Sequence, residues 1–244
     1  RGHQPSDILV AGCGTKQANA VAYQYPDCRV VGIDVSEPSL AHAARLKEKH
    51  GLTNLELCHV PIERVADLGH EFDIIMVWGV LHHLADPRAG FYELGQCLKE
   101  QGVIHAMVYS KVGRFGINLM RDLFYLLGVS QDASGIAFVR DTLVRIHPDH
   151  PVGVIVAPLK KQGFVSTSET VDMFLHARVA NYSVAECLDL VSSSDLKFQC
   201  WYDTSLYTPE FHFTTVTPIY QALAKLDDVR LWQAMETIVT GNGF

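Results

Sequence analysis

The chain has 244 residues, a formal net charge of −7, 48% apolar and 19% charged residues. It is long enough for one large α/β domain, or a domain with a cap, around a well-filled core. No apolar run approaches membrane-spanning length, and the acidic balance without a Lys/Arg run argues against a nucleic-acid backbone as main partner.

Arg1-Gly2-His3 does not resemble a secretory signal, and without an initiator Met an upstream segment is expected. Ile8–Ala11 is an apolar run too short for a helix and bounded by Gly12, so it reads as a buried strand. Gly12 and Gly14 then make a turn with no Cβ atoms, which lets backbone N–H groups approach a ligand closely. Ala18, Val21, Ala22 and Tyr25 share one helical face until Pro26 stops the helix. Arg29–Ile33 is a second strand with Asp34 at its carboxyl end, completing a βαβ unit with a nucleotide-type crevice. Ser36 and Pro38 open the next helix, which runs to His50 and ends at Gly51. Leu55–Cys58 and Phe72–Val77 (FDIIMV) are further strands, the latter the kind of apolar run, Asp73 apart, expected in a sheet covered on both faces.

Asp86-Pro87 caps a helix whose Phe91, Leu94 and Leu98 form one stripe, Gly102 ends it, and Val103–Val108 is strand five. Alternation at this spacing predicts a parallel, doubly wound sheet. From Gly113 to Met173 the pattern is two or three helices, Ile117–Leu127 and Ile136–Ile146 among them, with no strand between. Such an insertion is expected over the carboxyl ends of the strands, where it would shape a substrate site. Ser183 caps a helix to Val191, Leu196–Tyr202 is strand-like, and Val216–Val239 reads as two helices. Gly241-Asn242-Gly243-Phe244 looks like a turn entering a last antiparallel strand beyond Phe244. The six cysteines form no CxxC pair, which removes zinc-ribbon and dithiol readings and suits a reducing, cytoplasmic compartment.

Two ligand classes fit the glycine turn. A dinucleotide fold wants a third glycine where Gln17 stands; S-adenosylmethionine needs only two, with its carboxylate at the helix N-terminus and its ribose on Asp34. The stretch Trp78-Gly79-Val80-Leu81-His82-His83-Leu84-Ala85-Asp86-Pro87 decides between them. Together with Leu9–Lys16 and Val31–Ser36, it resembles the class I S-adenosylmethionine-dependent methyltransferases, which carry VLDLGCGTG after strand one and LHHLxDP after strand four. The resemblance covers roughly Ser6 to Tyr109, with a weaker echo at Ser183–Tyr202.

It implies a Rossmann-like sheet of order 3-2-1-4-5-(7)-6, with a core over residues 1–110, a helical cap over 111–182 and a C-terminal completion over 183–244. It also implies a cofactor site at Ala11, Gly12, Cys13, Gly14, Asp34, Val35, Pro61, Ile62, Glu63, Trp78 and Gly79, and S-adenosylhomocysteine as product. Three positions depart from the pattern: Val10 replaces an acid, Lys16 replaces a glycine and is expected in solvent, and Pro61 stands where an Asp often meets adenine. Adenine would then rest on backbone near Ile62, or on Glu63 turned inward.

Methyl transfer is an in-line displacement helped by positioning and, for a protonated acceptor, by a base. His82, His83 and Tyr109 are the candidates for chemistry, beside the plainer reading that both histidines and the tyrosine are packed. His176, Arg178, Tyr182 and Arg114 are the candidates for acceptor binding, an Arg suiting a carboxylate. His147 and His150, flanked by prolines, read as a loop and not a metal site. The expected activity is methylation of a small molecule by a cytoplasmic monomer or homodimer. A non-catalytic S-adenosylmethionine-binding subunit, a protein methyltransferase and an NAD-dependent oxidoreductase are the rivals.

Overall fold

β1 (Asp7–Ala11) lies at the centre of a parallel five-stranded sheet of order β3-β2-β1-β4-β5. The computed structural model describes residues 6–147, 149–150, 152–153, 166–176 and 178–238. The other strands are β2 (Arg29–Asp34), β3 (Leu55–His59), β4 (Phe72–Trp78) and β5 (Leu98–Met107). β1 is buried from Ile8 to Ala11 and β2 from Val30 to Ile33, the burial of central strands covered on both faces. On one face Ile8, Val10, Val30 and Met76 pack with Ala18, Val21 and Ala22 of α1 (Gln17–Gln24). Val10, which replaces the family's acid, is fully buried in this core.

α2 (Glu37–His50) starts and stops as its residues dictate: Ser36 Oγ accepts from Ser39 N, and Gly51 takes a left-handed φ of 61° as its cap. α3 (Pro87–Gln96) is capped by Asp86, which accepts from the N–H groups of Arg88 and Ala89. Asn54 Nδ2 lies 3.0–3.1 Å from the carbonyls of Ala22, Tyr25 and Cys28, and so fastens the α1–β2 turn from the start of β3.

Two expectations are corrected. Leu98 opens β5 instead of extending the stripe of α3. Phe72 N donates to Cys97 O at 2.9 Å and Phe72 pairs with Leu98, so sheet pairing takes the chain early, and the register slips between Phe72 and Ile74. Lys99 then reaches Asp7 and Asp73 at 2.8 and 2.9 Å. Leu196–Tyr202 is not a strand. In the expected order strand seven lies between five and six, and among the described residues no strand occupies that place, so the segment has no ladder to join. Instead Phe198 packs on Trp201, with ring centroids 4.6 Å apart. The Gly241–Phe244 turn lies outside the described residues.

The chain forms two compact units. One contains the sheet and Val184–Thr204, including α7 (Val184–Ser192), which an Arg88–Asp189 ion pair ties to α3. The other contains the described residues of 109–183 and 205–238. It holds α4 (Phe115–Leu126), α5 (Ala133–Arg145), α6 (Thr167–Phe174), α8 (Pro218–Leu223) and α9 (Asp228–Glu236). Its core joins Ile117, Met120 and Phe124 of α4, Ile136, Val139 and Leu143 of α5, and Phe174 of α6. Asp132 caps α5, and a capping box of Ser166 and Glu169 starts α6. No helix among the described residues is long and apolar enough to cross a membrane.

Candidate functional site: the carboxyl edge of the sheet and a polar cluster beside α4

All the sheet's strands run the same way, so their carboxyl ends share one edge, where Ala11, Asp34 and Trp78 end β1, β2 and β4. Both glycines of the first turn need their identity. Gly12 has φ 67°, and a Cβ there would lie 2.2 Å from Val80 Cγ2. Gly14 has φ 56°, yet a Cβ on it would meet nothing within 4 Å. The first glycine is therefore required by packing below the turn, and the second opens onto free space.

Asp34 joins the two turns at this edge. Its Oδ2 accepts from Gly14 N at 2.8 Å and its Oδ1 from Ser36 N at 2.8 Å. Two backbone donors fix the carboxylate plane, and each oxygen keeps acceptor capacity for a further hydroxyl. Val35, next along, is 66% exposed, an uncovered apolar side chain beside an oriented carboxylate. Cys13 is buried and its N donates to Ile33 O, while burial pushes its thiol up to about 12. Pro61 is partly exposed, Ile62 is buried and Glu63 is exposed at the start of a short 3-10 helix. Lys16 is exposed.

These residues suit a nucleoside with a charged tail: open space over Gly14, a pre-oriented acceptor for vicinal hydroxyls at Asp34, and an apolar wall at Val35 and Ile62. No phosphate cradle with a third glycine is present, since Gln17 occupies that place in α1.

After β4, Gly79 turns with φ 75°. His82 is fully buried and His83 partly so, their ring centroids 4.3 Å apart. Trp78 meets His105 edge-on at 4.8 Å, and His105 stacks on Tyr202.

The second unit gathers its own polar cluster. Tyr109 is buried and donates its hydroxyl to Asp172 Oδ2 on α6 at 2.5 Å. Burial, with the Asp172 carboxylate beside it, pushes the phenol well above its ordinary range, so Tyr109 stays a donor at neutral pH. The guanidinium of Arg114, 3% exposed at the N-cap of α4, lies 3.4 Å over the centroid of the Tyr109 ring. A parallel bridge between Ser110 and Tyr182 brings Tyr182 alongside: Tyr182 N donates to Tyr109 O and Lys111 N to Tyr182 O, both at 2.8 Å. His176 is half-buried, and its Nδ1 accepts from the N–H of Arg178, whose side chain is exposed. Of the residues singled out in this unit, Tyr109, Arg114 and Tyr182 therefore come together. Asp172, the acceptor of the tyrosine, opens the polar stretch Asp172–Tyr182 that the sequence marks, without being assigned a role there.

The comparisons with known proteins agree with the fold. Residues 9–104 match a family model described as "Methyltransferase domain". An uncharacterized protein of Synechococcus sp. is 26% identical over 96% of this chain and 58% of its own length. A ubiquinone biosynthesis O-methyltransferase of Ruegeria sp. is 34% identical over 39% of this chain and 38% of its own. The solved structure of PKMT2 from Rickettsia typhi in complex with AdoHcy superimposes with a TM-score of 0.79 over 98% of this chain and 48% of that one. At 17% identity the last likeness speaks to fold. The chain thus spans about half the length of PKMT2 and 58% of the Synechococcus protein.

Proposed function

We propose that the protein, whose residues 9–104 match a methyltransferase-domain family model, uses S-adenosylmethionine to methylate a small-molecule acceptor and releases S-adenosylhomocysteine. The observation that carries this is the Asp34 carboxylate, held by Gly14 N and Ser36 N beneath the open space over Gly14. Gly12, Cys13 and Gly14 would receive the amino-acid tail, Asp34 the ribose hydroxyls, and Val35 with Pro61 and Ile62 the adenine. AdoHcy in PKMT2, a protein of the same fold, supports this donor. When bound, the sulfonium supplies an electrophilic methyl group; the chain's part is to place an acceptor in line with it.

Among the side chains considered for chemistry, His83 suits a base better than His82, whose ring is fully buried. Tyr109, held protonated, suits orientation by hydrogen bonding and not proton removal. The helical segment from Tyr109 would bind the acceptor. The scattered cysteines, none of them in a CxxC pair, support a reducing, cytoplasmic setting.

The test combines binding with transfer. S-adenosylhomocysteine should raise the melting temperature by mass action and NAD should not. Label from methyl-tritiated S-adenosylmethionine should then enter the low-molecular-weight fraction of a cell extract. A shift with NAD alone would overturn the donor assignment. Label confined to the protein fraction would replace the small acceptor with a protein one, and binding without transfer to either fraction would leave a non-catalytic subunit.

A further inference from the structure

Arg114 is a cation whose best hydrogen-bonding edge is buried and unused. Its Nε and Nη2 are both shielded from solvent and have no hydrogen-bond partner among the described residues. These two nitrogens lie on the same edge of the guanidinium, where two parallel N–H groups match the two oxygens of a carboxylate. The plane of that fork is set by the Tyr109 ring beneath it. Tyr109 is itself set by its bond to Asp172, and Asp172 does not supply a partner to either orphan nitrogen.

The neighbouring turns of α4 point the same way. Asn118 and Arg121 fall four and seven residues after Arg114, on the same helical stripe. Asn118 Oδ1 and Arg121 Nη1 are likewise buried without a hydrogen-bond partner among the described residues. No side chain caps the N-terminus of α4, so the partial positive charge of its first turn adds to that of the guanidinium. Burial lowers the Arg114 pKa from its ordinary value, against the opposing pull of Tyr109 and of the Asp172 carboxylate. A stacked, desolvated guanidinium with a free bidentate edge is an expensive feature for a structural arginine and a useful one for an acid-binding site.

We propose that the Nε/Nη2 edge of Arg114 binds the carboxylate of an organic acid, with Asn118 and Arg121 bordering the same subsite. The site lies within the second unit and stands apart from the methyl-donor reading. The specificity follows from the fork. A carboxylate takes both N–H groups, whereas the corresponding amide or ester offers one good acceptor and leaves a buried donor unpaired.

The test uses the full chain with sodium formate, acetate and benzoate as probes, against sodium chloride and benzamide at matched ionic strength. At least one of the acids should raise the melting temperature saturably, with no such effect from chloride or benzamide. In Arg114→Lys, which keeps the charge and loses the fork, the apparent affinity should fall about tenfold or more. Should that variant fold poorly, the Arg114 Nε–H resonance of the ¹⁵N-labelled wild type should still move on titration with formate. No acid-specific stabilisation, or the same stabilisation in Arg114→Lys, overturns the proposal, as does an Nε–H signal that formate leaves in place. S-adenosylhomocysteine in parallel samples separates the two readings. Stabilisation by S-adenosylhomocysteine alone removes the carboxylate site and spares the donor site. Stabilisation by acids alone leaves an acid-binding protein and removes the methyl-transfer reading.

Discussion

Gly12 and Gly14 stand two residues apart in one turn, and replacing each with alanine should have opposite signatures. Both have positive φ, so an added Cβ costs about 1–2 kcal/mol of backbone strain at either position. Only at Gly12 does the Cβ also collide, at 2.2 Å from Val80 Cγ2 and 2.9 Å from Val80 Cγ1. Overpacking of that kind adds about 1–3 kcal/mol, for a total of roughly 2–5 kcal/mol in Gly12→Ala. At about 2–4 °C per kcal/mol, its melting temperature should drop by roughly 4–20 °C. Gly14→Ala meets no neighbour, so it should lose only the strain, yet its methyl group would stand in the space assigned to the ligand's tail. It should therefore melt only about 2–8 °C below the wild type and lose about tenfold or more in S-adenosylhomocysteine affinity, read as a missing ligand-induced shift. Adding Val80→Ala to Gly12→Ala should restore the overpacking part and leave the strain, a coupling that a double-mutant cycle measures. Equal melting losses in the two alanine variants would refute the packing argument. Undiminished S-adenosylhomocysteine binding by Gly14→Ala would refute the placement of the tail.

Three further outcomes are expected. Asp34→Ala leaves the N–H groups of Gly14 and Ser36 without their acceptor, so it should cost about 1–3 kcal/mol in denaturant titration and abolish stabilisation by S-adenosylhomocysteine. Asp132 is held down to about 2, first by the Ser134 hydroxyl and then by the Gly135 N–H. Because its pKa is depressed in the folded state, its contribution is intact above the ordinary carboxylate range and lost as pH falls toward about 2. Melting curves of Asp132→Ala should accordingly lie below the wild type at neutral pH and converge with it near that acid limit; a gap that persists there would count against the cap. Thiol labelling at pH 8 should modify exposed Cys200 first and spare Cys13, whose thiol is pushed up to about 12; early labelling of Cys13 by mass spectrometry would contradict its burial.

β1 and β2 were legible because each is an apolar run between turn residues, and burial on both faces is what such runs encode; β4 reads the same way around Asp73, whereas β3 carries Glu56 and is only partly buried. Asp34 was legible too, as an acid ending a strand opposite a glycine turn. Leu98 was misread because it satisfies a helical stripe as well as it satisfies a strand. The choice was made by pairing with Phe72, far away in sequence. Leu196–Tyr202 shows the converse failure: local alternation is present, but a strand exists only when another backbone completes its hydrogen bonds. In the second unit, Arg114 stood out only as a charge at the head of an apolar helix. Its stacking on Tyr109 and the bond from Tyr109 to Asp172 arise from three elements meeting, and no window of sequence contains all of them.

The central place of β1 has a consequence for how the chain folds during synthesis. β1 pairs on one side with β2, which follows it closely, and on the other with β4, where Ile8 must wait for Ile74 and Ala11 for Val77. Until β4 leaves the ribosome, a partial sheet of the first three strands would carry one open apolar edge in its eventual middle. Parallel pairing across such sequence separation is slow, and the interval exposes the very strand that later positions the ligand turn. Pulse proteolysis of stalled nascent chains should therefore find Ile8–Ala11 protected only once residues through Val77 have emerged.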